Sequence, residues 1–160
     1  MLTISQAILD AIIAHARRDH PHEACGLVVG PAGSGEPVRH IPMENSAHSD
    51  TFYQFDSMEH LRVWKEMDER DEEPVVIYHS HTATPAYPSR TDISLAAEPG
   101  AHYLLVSTRE PEVTEVRSFT ILDGVVTEEP VKLSGVVDDH AVQSYMFGQT
   151  PTAVDYECRG

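Results

Sequence analysis

The sequence predicts one α/β domain, α+β by stricter usage, in which a sheet is flanked by two main helices. Short β-branched apolar runs recur along the chain between turn residues, and two longer segments repeat apolar residues at helical spacing. Length agrees, because 160 residues are enough for one buried core and few for two independent ones. The expected division is a folded domain over 1–133 and a C-terminal tail over 134–160.

The first helix is expected over residues 4–19, where Ile4, Ile8, Ala11, Ile12, His15 and Ala16 share one face, Thr3 or Ser5 can cap the start and Pro21 ends the run. Cys25 to Gly30 is a buried strand stopped by the turn residues of PAGSG. Pro37 to Glu44, paired with that strand, and Thr51 to Phe55 are expected as further short strands. Asp56 opens a second helix that runs to about Arg70, and Glu59 three residues on completes a capping-box pattern. Pro74 to Tyr78 is the most strand-like segment and leads directly into His79 and His81. Ser89 or Thr91 can cap a short helix through Ala97, and His102 to Thr108 is another buried strand. Glu115 to Leu122 and Val125 to Leu133 form a hairpin about Asp123-Gly124, residues suited to a type I′ turn. Beyond it no periodicity persists, and Gly135, Gly148 and Pro151 interrupt the chain. Tyr145, Met146, Phe147 and Tyr156 would suit packing on a second copy, as a homodimer, or on the chain's own domain.

The formal charge of -15 disfavours nucleic acid and anionic membrane as partners. No apolar stretch approaches the length of a spanning helix, and the N-terminus lacks the basic leader and cleavage site of a signal peptide, so the cytoplasm is the expected compartment. Two cysteines, Cys25 and Cys158, provide neither a disulfide framework nor a cysteine-rich metal knuckle. A metal would therefore be held by histidine and carboxylate.

His79 and His81 stand at i and i+2, so on an extended backbone both imidazoles point to one side. Asp92, eleven residues after His81, adds an anionic oxygen behind a loop containing Pro85 and Pro88. A His2Asp set leaves a fourth position for water, as catalytic zinc sites do. A His-x-His pair alone is as readily two polar residues leaving a core. Cys25 is expected as an ordinary buried thiol, and a carboxylate at Glu23, before a strand, is on average a solvated one. His15, His22, His40, His48, His60, His102 and His140 show no partner pattern and are expected to be surface or structural. Tyr53 and Phe55 could line a groove, although alternating aromatics more often pack a core, and the acidic run Glu66 to Glu73 reads as a solvated helix end.

The order His79-Ser80-His81, seven residues, Ser89, two residues, Asp92 resembles the signature of the JAMM, or MPN+, metalloproteases. The block Pro21-His22-Glu23-Ala24-Cys25-Gly26 resembles the one that supplies the family's remote glutamate in bacterial members. The resemblance spans roughly residues 1–133 and lies nearest the bacterial Mec-type branch. It implies a cytidine-deaminase-like curved mixed sheet and Zn2+ held by His79, His81 and Asp92. It also implies Glu23 as the base for the attacking water and Ser89 as a donor to the carbonyl oxygen. Relatives that cleave ubiquitin chains usually carry Trp-x-His-Pro after the second histidine, and Thr82 to Pro85 has no Trp. The Mec-type resemblance instead implies hydrolysis after the C-terminal Gly-Gly of a ubiquitin-like sulfur carrier protein, with release of L-cysteine. Processing or deconjugation of ubiquitin-like proteins, or a noncatalytic MPN scaffold, are the alternatives.

Overall fold

In the computed structural model, which describes residues 1–134, the chain opens with a strand, β1 (Leu2–Ser5), where the apolar spacing predicts the first helical turn. Leu2 and Ile4 are buried on either side of exposed Thr3, an alternation that suits a strand, and they pack into the core beneath helix α1 (Gln6–Asp19). Ser5 is the cap of that helix, its Oγ accepting the Ile8 N–H at 3.2 Å.

An antiparallel pair follows, β2 (Cys25–Pro31) with β3 (Arg39–Met43). Thr51 to Phe55 does not form the expected strand. Only the isolated bridge between Asn45 and Phe55 remains, because the Phe52 carbonyl and the Gln54 N–H are bound by the Asn45 side chain instead of a neighbouring strand. Helix α2 (Ser57–Glu69) is capped by Asp56, which accepts the Glu59 N–H at 3.0 Å. The expected reciprocal bond does not form among the described residues; the Glu59 carboxylate instead accepts the N–H of Glu44 on the incoming loop.

Then come β4 (Glu72–His81), α3 (Arg90–Leu95), β5 (His102–Ser107), β6 (Glu115–Leu122), β7 (Val125–Glu129) and β8 (Val131–Ser134). The last two replace one expected strand. Pro130, which has no N–H to donate, separates them: β7 stays on β6, while β8 runs parallel to β1 in a separate two-stranded sheet. Both residues of the turn between β6 and β7, Asp123 and Gly124, have positive φ, as a type I′ turn requires.

The main sheet has the order β3-β2-β4-β5-β6-β7, and β4–β5 is its one parallel pair, so the sheet is mixed. On one face Val28, Val76, Tyr78, Leu104 and Val106 pack against α1 and β1. On the other, Leu27, Ile77 and Tyr103 pack against Val63 and Met67 of α2. Among the histidines expected to be structural, His15 is buried and its Nδ1 lies 2.7 Å from the Tyr78 hydroxyl, which His40 Nε2 also reaches at 2.7 Å. The acidic run is not wholly solvated, because Arg39 bridges Glu66 and Glu72 at 3.0 and 2.6 Å. Among the described residues no helix is long and apolar enough to cross a membrane. The expected tail begins inside β8; its remainder, with His140, Tyr145, Phe147 and Cys158, lies outside the described residues, and so does the homodimer expectation.

Candidate active site

The site forms where the sheet's one parallel pair ends. Because β4 and β5 run the same way, the chain must cross between them, and the loop and α3 that do so lie at the carboxyl end of β4. Strand alternation puts His79 and His81 with Ile77 on the α2 face, while Tyr78 and Ser80 face α1. The two histidines thus stand at the end of an interior strand.

Glu23 reaches the same place through strand register. Cys25 pairs with His79, and one step further Ala24 and Ser80 exchange bonds: Ser80 N–H to the Ala24 carbonyl at 2.9 Å, and Ala24 N–H to Ser80 Oγ at 2.8 Å. Continuing that register sets Glu23 opposite His81, on the same face. Asp92 arrives on α3, whose first turn is closed by a complete capping box. Ser89 Oγ accepts the Asp92 N–H at 3.1 Å, and Asp92 Oδ2 accepts the Ser89 N–H at 2.8 Å.

Three donor atoms converge. His79 Nε2 and His81 Nε2 are 3.2 Å apart, and Asp92 Oδ2 lies 3.1 Å from the first and 3.2 Å from the second. A tetrahedral ion with bonds of about 2.0 Å separates its ligand atoms by about 3.3 Å, so the triangle has the size of one face of such a coordination shell. These residues could hold a metal ion. His81 Nδ1 donates to the Pro85 carbonyl at 2.8 Å, which fixes the tautomer and leaves the Nε2 lone pair facing inward. Among the described residues His79 has no such partner and its buried Nδ1 is unpaired, but the Tyr53 ring stacks on it with centroids 4.6 Å apart and an angle of 26°.

The electrostatics follow from burial and from these contacts. Burial pushes Glu23 up to about 7; His81 pulls it down, and Asp92 and Asp50 push it further up. Burial would also raise Asp92, but hydrogen bonds with His79, His81 and the Ser89 N–H hold it well below the ordinary carboxylate range. His79 is lowered by desolvation, whereas in His81 the same penalty is outweighed by Asp92 and the Pro85 carbonyl, and its pKa rises. The Cys25 thiol is buried and burial pushes it up, so it is a poor nucleophile.

A family model described as prokaryotic homologs of the JAB domain matches residues 5–122. The chain belongs to this family. Family and relatives together make it a peptidase. It is 62% identical over 133 residues to the CysO-cysteine peptidase of Mycobacterium tuberculosis, covering 83% of this chain and 91% of that one. It is 30% identical over 111 residues to a desampylase of Haloferax volcanii, covering 66% and 80%. A solution structure of a protein from Desulfitobacterium hafniense superposes with a TM-score of 0.73 at 34% identity, covering 88% of this chain and 97% of that one.

The JAB-family fold thus brings together His79, His81, Asp92 and Ser89, with Glu23 on the same face as His81. Glu23 is only 4% exposed, unlike the average carboxylate before a strand. Two contributors, Ser80 and Asn45, escaped the sequence reading, and a third, Tyr53, was left open by it. Ser80, the middle of the His-x-His motif, sets the register that aligns Glu23, and its position inside the motif was the available signal. Tyr53, which the sequence left between groove and core, backs His79 and lines a cavity of about 530 Å³ with Phe55, His60 and Trp64. Asn45 had no signal beyond its turn-forming residue type.

Proposed function

We propose that this JAB-family peptidase is a cytoplasmic zinc enzyme, with residues 1–133 as its catalytic domain and His79, His81 and Asp92 as the metal ligands. It hydrolyses the bond after the C-terminal Gly-Gly of a ubiquitin-like sulfur carrier protein and releases L-cysteine. The observation that carries this reading is the 62% identity, over most of both chains, to peptidases named for CysO-cysteine. The nitrogen and oxygen donors and their tetrahedral spacing favour zinc among the common divalent ions.

Bound there, zinc would polarise the scissile carbonyl and acidify the attacking water, and its charge would draw Glu23 into the ionised form at neutral pH. The Glu23 carboxylate accepts the water's proton and passes it to the amine of the departing cysteine. Ser89 Oγ already accepts the Asp92 N–H, so its own O–H is left to donate to the carbonyl oxygen as negative charge grows there. The products are the carrier with a free Gly-Gly carboxylate and cysteine, one water being consumed.

The test is to incubate the zinc-loaded protein with a carrier ending in Gly-Gly-Cys and follow the carrier by mass spectrometry. Loss of the terminal cysteine is expected, with Glu23→Gln slower by roughly 10²–10⁴-fold. An unchanged carrier would sink the proposal, and full activity of Glu23→Gln would remove Glu23 as the base. The desampylase relative supports a second reading, in which the same site separates a ubiquitin-like protein from lysine. Carrier linked to a lysine side chain, offered in the same assay, distinguishes the two.

A further inference from the structure

We propose that Asn45 is a positioning residue that links the base and metal halves of this site, an inference that rests on the roles given above to Glu23 and His79. Asn45 is buried, at 6% exposure, on the loop between β3 and α2. Its Nδ2 donates to the carbonyl of Glu23 at 3.0 Å and to that of Phe52 at 2.9 Å. Its Oδ1 accepts the N–H groups of Ala47 and Gln54 at 3.0 and 3.1 Å.

That is the full capacity of an amide, two donations and two acceptances. Flipping it would set Oδ1 against two carbonyls and the NH2 group against two N–H donors, so the orientation is fixed. One end of the amide holds the backbone of the proposed base, whose own N–H is tied to Ser49 of the same loop at 2.9 Å. The rest grips the residues on both sides of Tyr53, at Phe52 and Gln54.

Tyr53 in turn lies flat on His79. Metal-bound histidines are ordinarily oriented by a hydrogen bond from the second ring nitrogen, and His81 has one, to Pro85. Among the described residues His79 Nδ1 has none, and its ring is held from behind by the face of Tyr53. A single buried amide therefore sets the backbone position of Glu23 and, through Tyr53, the plane of His79. All four of its hydrogen bonds go to backbone groups, and it contributes no atom to the donor triangle.

The experiment measures zinc affinity by chelator competition, and kcat and KM on the Gly-Gly-Cys carrier, for the full chain at a temperature well below each variant's unfolding. Asn45→Asp keeps both acceptances and turns both donations into repulsion between carboxylate and carbonyl. It is expected to lose roughly 10–100-fold in zinc affinity and a similar factor in kcat, with KM changed less than about twofold. Val116→Ala, a cavity in the core under α1, serves as the destabilised control and should leave zinc affinity and kcat within about twofold of wild type. Tyr53→Leu should lose zinc affinity as Asn45→Asp does, and it reads the metal arm even where the Asn45 variant does not fold. The inference is overturned if Asn45→Asp unfolds earlier yet retains wild-type zinc affinity and kcat, or if Tyr53→Leu binds zinc as wild type does. If wild type binds zinc but leaves the carrier intact, the proposed substrate falls, and the zinc measurements still decide the role of Asn45.

Discussion

Glu23 shows what burial does to one side chain before any substrate arrives. Its carboxyl is held out of water on the face that carries His81, and burial pushes it up to about 7 from a usual 4.5. A group raised in this way contributes its stability fully below its ordinary range and loses that contribution as pH rises through about 7. The metal-free protein is therefore expected to lose stability between about pH 4.5 and 7 on account of this residue. A shift of that size corresponds to on the order of 3 kcal/mol. Glu23→Gln removes the group, so urea unfolding at pH 5 and pH 8 in the presence of chelator should show the variant gaining on wild type at the higher pH. Parallel behaviour of the two proteins would contradict the buried ionisation. The residues of this site also differ in how legible they were. His79, His81 and Asp92 lie within a short stretch of chain, so strand alternation and a single loop bring them together, and spacing reveals them. The chemistry of Glu23 depends on a register between strands far apart in sequence, and Asn45 acts only through backbone groups of other residues, which no side-chain pattern records.

At the scale of elements, β2 and β4 meet through Gly26 and Tyr78. A Cβ built at Gly26 would lie 2.4 Å from the Tyr78 hydroxyl oxygen and 2.6 Å from two ring carbons. The ring cannot swing away freely, because His15 and His40 hold its hydroxyl from two sides at 2.7 Å each. Gly26→Ala is expected to cost about 1–3 kcal/mol, read as a lower urea midpoint at unchanged slope. A midpoint equal to wild type would mean that the strand pair shifts without penalty. The glycine of the Glu23 block thus has a packing reason on the sheet face opposite His79 and His81. Most elements were legible because their burial follows one period. The exceptions have local causes. Two buried residues, Leu2 and Ile4, fit a strand and a helix start alike, Pro130 splits a run that alternates smoothly, and Thr51 to Phe55 pairs with a side chain in place of a strand.

For the whole molecule, the donor triangle links metal to folding. The three atoms come from β4 and from α3, and they converge only in the folded chain, so an ion that binds there stabilises the native state alone. Zinc at about a thousandfold above its dissociation constant would contribute about 4 kcal/mol, or roughly 10 °C in the unfolding midpoint of a domain this size. Calorimetry with and without EDTA should show that drop in wild type and no response in His81→Ala. An EDTA-insensitive wild type would argue against a metal held by these residues. A sheet flanked by helices was foreseeable from the order of strands and helices, and its mixed character from the family resemblance. Its closure was not, because no local pattern announces that two short strands near the two ends of the domain will pair.

That pairing, β1 alongside β8, has a consequence in time. Leu2 and Val131 stand opposite one another although roughly 130 residues separate them along the chain. Bringing two points so distant together costs about 4 kcal/mol of chain entropy when nothing between them is yet ordered, and far less once the intervening sheet has formed. The pairing of β1 with β8 is therefore least costly once the main sheet already holds both strands within reach. In a chain made from its N-terminus, β4 and α3 precede β8, so the donor triangle can take shape before that last clasp is available.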